Sequence, residues 1–598
     1  MKQQKMNKNV PHSTIISIHF GHNATVALLK DGRITDCVSE ERFNRIKNST
    51  GFPHKALSYI KNIAGENVEY YVFTQKYPWG YNFLKATGFQ SIPYNDVQPT
   101  APKIPLRLRL WEKHYYKKNR DAMLDGINKI ESNLALKKEM EDYFSKLLKV
   151  PKEKVLYADH HLTHALSAKF FTKQSEDNLV FTLDGEGDGL SSTVSRLNSD
   201  DIIVLSRGSK AFSLGYLYRE VTAFLGMKPD EHEFKVMGLA PYAKTEHVEK
   251  LLPLFEKILW INNKDEFESE IPMPIIKYYL VSNFLYKRFD TIAGAIQLFT
   301  EKIVMDWIVR WVRKTNITNI CLSGGVAMNV KMNERIAELA EVSSLSVVPS
   351  AGDESTVFGG CFVGYKRFCD DHKLKCTVTP VTDLYLGTSY SHPEIEKFLL
   401  ANNYFEKYNI SEPQNIELTV AQLLADNNVV ARFSGRMEFG ARALGNRSIL
   451  ANPRSYENVR IINEMIKNRD FWMPFAASIL EEDEGRYIIN PKKIPSDFMA
   501  ITFNTTPSAQ VDLIGSIHPY DKTSRPQIVK KMTNPGYHEL ISEFKRITGV
   551  GGILNTSFNL HGEPNVESPA DAMHTFKNSG LNYMAIGSFL IAKKESSH

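Results

Sequence analysis

Ile15-Ile16-Ser17-Ile18-His19-Phe20-Gly21-His22-Asn23 reads as a buried β-strand running into a polar turn. Ala24 to Leu29 is a second strand, Asp31-Gly32 a hairpin turn signal, and Ile34 to Val38 the returning third. A similar pattern recurs at Leu179-Val180-Phe181-Thr182-Leu183. That apolar run ends at Asp184-Gly185-Glu186-Gly187-Asp188-Gly189, and a new strand starts over Ser192 to Arg196. A second strand–turn–strand like the first hints at a duplicated lobe.

A strand, a polar turn and a hairpin is also how phosphate-binding lobes of the actin and sugar-kinase type begin. Between the two units lies Asp159-His160-His161-Leu162-Thr163-His164-Ala165. On a helix, His160 and His164 share one face, and two imidazoles so presented can grip one metal ion. Asp184, at the C-terminal end of its strand, and Asp353, in Ser350-Ala351-Gly352-Asp353-Glu354-Ser355, would complete a mixed nitrogen and oxygen site. Such a set suits Fe, Mn or Zn rather than Ca or Mg. For an isolated HxxxH, a helix that merely carries polar histidines is the competing reading.

With 598 residues, two or three domains are expected. A net charge of +5 gives no argument for nucleic acid or membrane as the main partner. Cys37, Cys321, Cys361, Cys369 and Cys376 form no CxxC pair, which argues against a zinc ribbon or a disulfide scaffold and fits a reducing cytoplasm. No apolar run reaches the roughly 18 residues a membrane span needs, and the first fourteen residues read as a loose polar leader.

Ser39-Glu40-Glu41-Arg42 reads as a charged turn or helix start, or equally as a solvated helix cap. Residues 98 to 150 read as a polar helical insertion, where Lys103, Arg107, Arg109, Lys113, Lys117, Lys118 and Arg120 interleave with Trp111, Tyr115 and Tyr116. That mixture fits nucleic-acid contact or, more simply, a solvated helix anchored by its aromatics. In Glu231-His232-Glu233-Phe234-Lys235-Val236-Met237-Gly238-Leu239-Ala240-Pro241-Tyr242, Lys235 is either a cation for an anionic ligand or a structural ion-pair partner. Residues 250 to 317 are expected to be mostly helical, with Trp307 and Trp311 in the core.

Ile317 to Leu322 is a buried-type strand ending at Ser323-Gly324-Gly325-Val326-Ala327-Met328-Asn329, where backbone N–H groups at a helix start can meet a phosphate, or where the glycines simply turn the chain. A domain boundary is expected near 370 to 385, giving an N-terminal domain over 1–370 and a C-terminal one over 385–598. Gly435-Arg436-Met437-Glu438-Phe439-Gly440-Ala441-Arg442-Ala443-Leu444-Gly445-Asn446-Arg447 follows, with Arg454 beyond, and Glu438 is its sole acid. Partly buried guanidinium groups without matched carboxylates need an anion, so a phosphate ligand is the inference, against a basic surface turn. Asn463, Lys467 and Arg469 would extend that pocket. Gly551 to Asn559 is a strand whose polar end, from Asn555, would line a nucleotide site. Ser568 and Pro569 read as the cap and first turn of a helix.

The blocks DHHLTHA, LDGEGDG, EHEFKVMGLAPY, LSGGVAMN, SAGDES, GRMEFGARALGNRSILANPR and LNTSFNLHGEPNV, in this order, resemble the O-carbamoyltransferase family of nodulation-factor and antibiotic biosynthesis, including the tobramycin- and cephamycin-type enzymes. The resemblance spans nearly the whole chain. It implies an N-terminal actin/hexokinase-like domain, similar to the universal tRNA threonylcarbamoyladenosine enzyme, and a C-terminal α/β carbamoyl-adenylate-forming (YrdC-like) domain. The implied reaction uses carbamoyl phosphate and ATP with Mg to make carbamoyl adenylate, then carbamoylates a small-molecule hydroxyl. His160, His164, Asp184 and Asp353 match the family's metal ligands, usually iron. Arg436, Arg442, Arg447 and Arg454 fall on its carbamoyl phosphate and ATP arginines, with Lys467 beside them. Lys235, Gly324, Gly325 and Asn329 fall near the adenylate. His22 stands where a base would take the acceptor proton. Met473 and Ala477 replace the family's usual Arg and Pro, and Asn23 its usual Asp. The implied protein is cytoplasmic, contacts neither membrane nor nucleic acid, and is a candidate homodimer. Transfer to tRNA and an actin-superfold ATPase without carbamoyl chemistry are the competing functions.

Overall fold

A computed structural model of the chain describes residues 11–76, 92–93, 134–173, 176–199, 201–271, 273–467 and 470–594. The basic stretch from Lys103 to Arg120 and Arg469 lie outside the described residues. The opening stretch forms β1 (Thr14–His19), β2 (Thr25–Lys30) and β3 (Arg33–Ser39), an antiparallel meander. Asp31 and Gly32 both adopt positive φ, 49° and 77°, as a tight two-residue hairpin requires. β4 (Tyr70–Phe73) adds in parallel to β1, and β5 (Val155–Tyr157) in parallel to β4, so the sheet reads β3-β2-β1-β4-β5.

The second unit repeats this plan. β6 (Asn178–Gly187), β7 (Leu190–Leu197) and β8 (Ile202–Ser209) form the antiparallel part, and β9 (Asn319–Ser323) and β10 (Ser344–Val347) add in parallel, in the order β8-β7-β6-β9-β10. Identical strand order in two sheets makes the front of the chain a duplicated, actin/hexokinase-like pair of lobes. One detail differs from the reading above: β6 does not stop at Asp184 but runs on to Gly187, through a register shift after Leu183.

Each lobe's last strand feeds a helix that crosses to the other lobe. α1 (His160–Ser167) follows β5 and packs on the second sheet, while α3 (Thr356–Asp371) follows β10 and packs on the first. The two helices also pack on each other, closely enough that a Cβ on Gly359 would lie 1.9 Å from the Thr163 carbonyl oxygen. That crossing brings the start of α1 beside the turn that precedes α3, which is where the metal candidates lie. The 27-residue helix Phe289–Thr315 flanks the second lobe and buries Trp307 and Trp311, as its spacing predicts.

The back of the chain forms an eight-stranded mixed sheet. Its strands are β11 (Tyr408–Ser411), β12 (Val430–Phe433), β13 (Arg447–Ala451), β14 (Ala476–Leu480), β15 (Gln527–Val529), β16 (Gly552–Ser557), β17 (Tyr583–Ile586) and β18 (Phe589–Lys593), in the order β11-β18-β17-β12-β13-β16-β14-β15. Ser568 caps the helix Pro569–Lys577 in a capping box with Asp571. This part docks on the second lobe through α2 (Val330–Glu338): Lys331 pairs with Asp521 at 2.6 Å, and Thr502 donates to Glu334 at 2.7 Å. It docks on the first lobe through the Ser39–Arg42 stretch. Arg42 donates to the Gly440 carbonyl at 2.7 Å and is buried, so this stretch is an interface rather than a solvated cap.

Candidate active site between the lobes

The Asp159 side chain caps α1 by accepting the Leu162 N–H at 2.9 Å. One turn of helix then puts His160 and His164 on the same face, with their Nε2 atoms 3.2 Å apart. His160 Nε2 lies 3.4 Å from Asp184 Oδ2 and 3.4 Å from Asp353 Oδ1, and His164 Nε2 lies 3.6 Å from Asp353 Oδ1. One donor atom from each of the four residues falls within 4.8 Å of all the others. Ligands at bonds of about 2.0–2.2 Å sit some 3–3.6 Å from their neighbours around one ion, so these four residues fit a divalent transition metal.

Neighbouring groups aim the four donors inward. Asp184 Oδ1 accepts the Gly325 N–H at 3.0 Å, which turns Oδ2 toward His160. His164 Nδ1 meets Ser323 Oγ at 3.2 Å. His160 Nδ1 is buried without a hydrogen-bond partner, and its ring is set by packing: a Cβ on Gly187 would lie 2.0 Å from His160 Cδ2. His161 faces away, bonded to Thr182 Oγ1 at 2.8 Å, and burial brings its pKa down to about 3. Burial also opposes charge on His160, but Asp353 and Asp184 outweigh it and hold its pKa well above the imidazole range. Asp353 shows the converse: burial would raise it, but the facing histidines hold it well below the usual carboxylate range.

Two residues were not assigned from sequence. His19, at the end of β1, is fully buried, with Nε2 3.7 Å from Asp353 Oδ2 and 3.0 Å from the His22 carbonyl oxygen. Burial drives its pKa down to about 4. A histidine closing an apolar strand was the available signal. Glu354 follows Asp353 directly and is 7% exposed. Its Oε1 accepts from Ser350 Oγ at 2.5 Å, and Asn23 Nδ2 stands 3.4 Å from Oε2. His22 occupies the same turn as Asn23, whose φ is 56°.

The Ser323–Asn329 turn is otherwise engaged than as a free phosphate loop. The Gly324 N–H donates to the Ala351 carbonyl at 2.9 Å and the Gly325 N–H holds Asp184. Asn329 caps α2 and exchanges two amide hydrogen bonds with Gln297, at 2.9 and 3.0 Å. Asn555, in β16, donates to the Ala443 carbonyl and Ser478 Oγ, both at 3.0 Å, while its buried Oδ1 has no partner. Lys235 pairs with Asp470 at 2.9 Å across the junction of front and back. Met473 lies on the Gly238 backbone, and Ala477 is buried in β14.

The arginines divide sharply. Arg436 donates to Asp36 Oδ1 at 2.7 Å and to the carbonyls of Thr35, Leu386 and Gly387. Arg447 is fully buried over the Phe433 ring and donates to the carbonyls of Ser434 and Gly435. Arg454 and Arg486 share Asp512. Lys467 donates to oxygens of Ser557 and Asn559. Arg436, Arg447 and Arg454 are therefore met by protein, as is Lys467, and the expectation that these guanidinium groups lack matched acceptors is corrected. Arg436 and Arg454 meet acids distant in sequence, whereas Arg447 meets carbonyls of its own loop. Arg442 differs: among the described residues it has no hydrogen-bond or ion-pair partner. Burial lowers its pKa to about 10, with the Glu354 carboxylate in partial compensation. Its neighbour Ala441 donates its N–H to Ser350 Oγ at 3.1 Å, which seats this loop against the turn that carries Asp353 and Glu354.

Comparison with known proteins agrees with this architecture. Residues 14–362 match the family model "Carbamoyltransferase N-terminus" and residues 421–593 match "Carbamoyltransferase C-terminus". The chain is 32% identical to an uncharacterized Methanocaldococcus jannaschii protein over 97% of this chain and 99% of that one. It is 29% identical to Nodulation protein NolNO of Sinorhizobium fredii, over 97% and 80% respectively. It is also 29% identical to the 3'-hydroxymethylcephem-O-carbamoyltransferase of Amycolatopsis lactamdurans, over 44% of this chain and 47% of that one. Full-length HypF, solved in a phosphate- and nucleotide-bound form, aligns at 11% identity and a TM-score of 0.33 over 60% of this chain and 56% of that one. Paired lobes around a four-residue cluster, a back half seated on them by its arginine loop, and family models matching both parts lead to one assignment: the chain belongs to the carbamoyltransferase family.

Proposed function

We propose that the protein is an ATP-dependent O-carbamoyltransferase acting on a hydroxyl of a small molecule. Carbamoyl phosphate, ATP and water give carbamoyl adenylate, phosphate and pyrophosphate. The acceptor hydroxyl then takes the carbamoyl group, and AMP leaves. The observation that carries this reading is Arg442, a guanidinium without a hydrogen-bond or ion-pair partner among the described residues, on a loop that Ala441 seats against the Ser350–Glu354 turn. A half-buried cation without a protein partner favours an anionic ligand, and carbamoyl phosphate is one. That a relative bears the name of an O-carbamoyltransferase supports the same reading.

In this proposal His160, His164, Asp184 and Asp353 hold a divalent metal, Fe, Mn or Zn by donor chemistry, which when bound supplies a Lewis acid able to polarise a carbonyl or anchor a phosphate. Gly325 and Ser323 orient its ligands, as second-sphere groups do. Arg442 binds the donor's negative charge. His22 receives the acceptor proton, a role to which imidazole is suited near neutral pH. Lys235, on the rim, meets the nucleotide phosphate by exchanging its contact with Asp470. The test is a screen of hydroxyl compounds by mass, with carbamoyl phosphate and ATP supplied. A product heavier by one carbamoyl group, formed only when both are present, is expected. Carbamoylation that proceeds equally without ATP would refute the adenylate route.

A further inference from the structure

We infer that Glu354 reads the amine of the carbamoyl group, and so decides that this donor is used rather than another acyl phosphate. The inference rests on the carbamoyl-transfer reading above. A carbamoyl group differs from an acetyl group by NH₂ in place of CH₃. A site that tells them apart needs an acceptor for the amine, and a donor for the carbonyl oxygen fixes the orientation. Glu354 and Arg442 supply that combination.

A carboxylate has about four acceptor positions and a guanidinium five donors. Oε1 of Glu354 is occupied by Ser350 Oγ at 2.5 Å, while Oε2 has the long 3.4 Å contact from Asn23 Nδ2. Arg442 has no partner among the described residues. The two side chains are brought near each other by one hydroxyl: Ser350 Oγ donates to Glu354 and accepts the N–H of Ala441, the residue before Arg442. Yet they make no ion pair within 4.0 Å. A group lying between them must donate to one side and accept from the other. A carbamoyl group does both. A phosphate would set its negative charge against the carboxylate, and an acetyl group would leave Oε2 facing a methyl, stripped of water and with only the long Asn23 contact. Leaving a buried acceptor unmet is the costly case, and sites built to bond a substrate N–H reject analogues lacking it far more strongly than apolar pockets discriminate by size.

The experiment measures dissociation constants of carbamoyl phosphate, acetyl phosphate and inorganic phosphate on the full chain by equilibrium dialysis. Wild type is expected to prefer carbamoyl phosphate over acetyl phosphate by at least about 10-fold. Glu354→Gln should bring that ratio close to one while acetyl phosphate affinity stays within about 2-fold, whereas Arg442→Gln should weaken both acyl phosphates together. Thermal unfolding checks that the variants fold. If Glu354→Gln does not, Ser350→Ala carries the test, since it leaves the carboxylate in place but unanchored and should lower the ratio. A wild type that binds both acyl phosphates alike overturns the carbamoyl reading and this inference with it. Discrimination that survives in the folded Glu354 and Ser350 variants overturns the assignment of Glu354 alone.

Discussion

Replacing Gly187 by alanine tests the geometry of the four-residue cluster without touching any of its members. Gly187 does not adopt positive φ, so alanine meets no backbone penalty there. Its new methyl would instead lie 2.0 Å from His160 Cδ2, 2.3 Å from Cγ and 2.7 Å from Nε2. Carbon atoms rest about 3.5 Å apart, so the ring would have to withdraw by about 1.5 Å. The ring has little freedom to do so, because α1 is capped at Asp159 and packed against α3. Metal–ligand distances tolerate only about 0.2 Å, so His160 is expected to be lost as a ligand. The affinity for divalent metal should fall by at least about 100-fold, more than loss of an outer-sphere partner typically costs. Overpacking should cost a further ~1–3 kcal/mol of stability.

The assay is metal titration of the chelator-treated protein, with bound metal counted by mass spectrometry and folding followed by thermal unfolding. Gly185→Ala is the control. It lies in the same strand, and its added Cβ would find its nearest neighbour, Tyr216 Cε1, at an ordinary 3.9 Å. Gly185→Ala should bind metal like wild type. A Gly187→Ala protein that is folded and holds metal with unchanged affinity would refute the placement of His160.

Three further outcomes follow from the same contacts. Arg454→Ala should lose on the order of 1 kcal/mol of stability, because Asp512 keeps Arg486, and should leave carbamoyl phosphate affinity unchanged; chemical denaturation and dialysis measure the two. Glu233 is raised by burial and by Asp230 to about 7 from an ordinary 4.5, so the folded state holds its proton more tightly than the unfolded one. Its contribution to stability therefore declines as pH rises from about 4.5 to 7, by at most about 3 kcal/mol, and Glu233→Gln should flatten the fall of melting temperature over that interval; parallel profiles for the two proteins would count against it. Stripping metal with a chelator should lower the melting temperature, and adding back Fe, Mn or Zn should restore it in proportion to ln of the free metal concentration; a melting temperature indifferent to metal would contradict the four-ligand site.

Much of the front half was legible because its signals are local. Period-two apolar runs broken by Asp31-Gly32 disclose the hairpin, and the spacing of His160 and His164 places both on one helix face whatever the rest of the chain does. That Asp184 and Asp353 join them depends on the crossing of α1 and α3, which the residues alone do not state. The arginine loop was read less well for a physical reason. A buried guanidinium is satisfied by any oxygen, and Arg436 found Asp36 of the first lobe while Arg447 found backbone carbonyls. Counting acids within the loop could not reveal either. Gly324 and Gly325 were legible as a turn, but their amides hold Ala351 and Asp184. Glu354 was visible beside Asp353, yet only the Ser350 bridge to Ala441 shows that it faces the back half.

The most direct test of the central claim is pyrophosphate release by the purified full-length protein supplied with ATP and metal, with and without carbamoyl phosphate. Release that requires carbamoyl phosphate and falls at least about 10-fold in a folded Arg442→Gln variant is the predicted result. ATP turnover indifferent to carbamoyl phosphate, or yielding only orthophosphate, would contradict it.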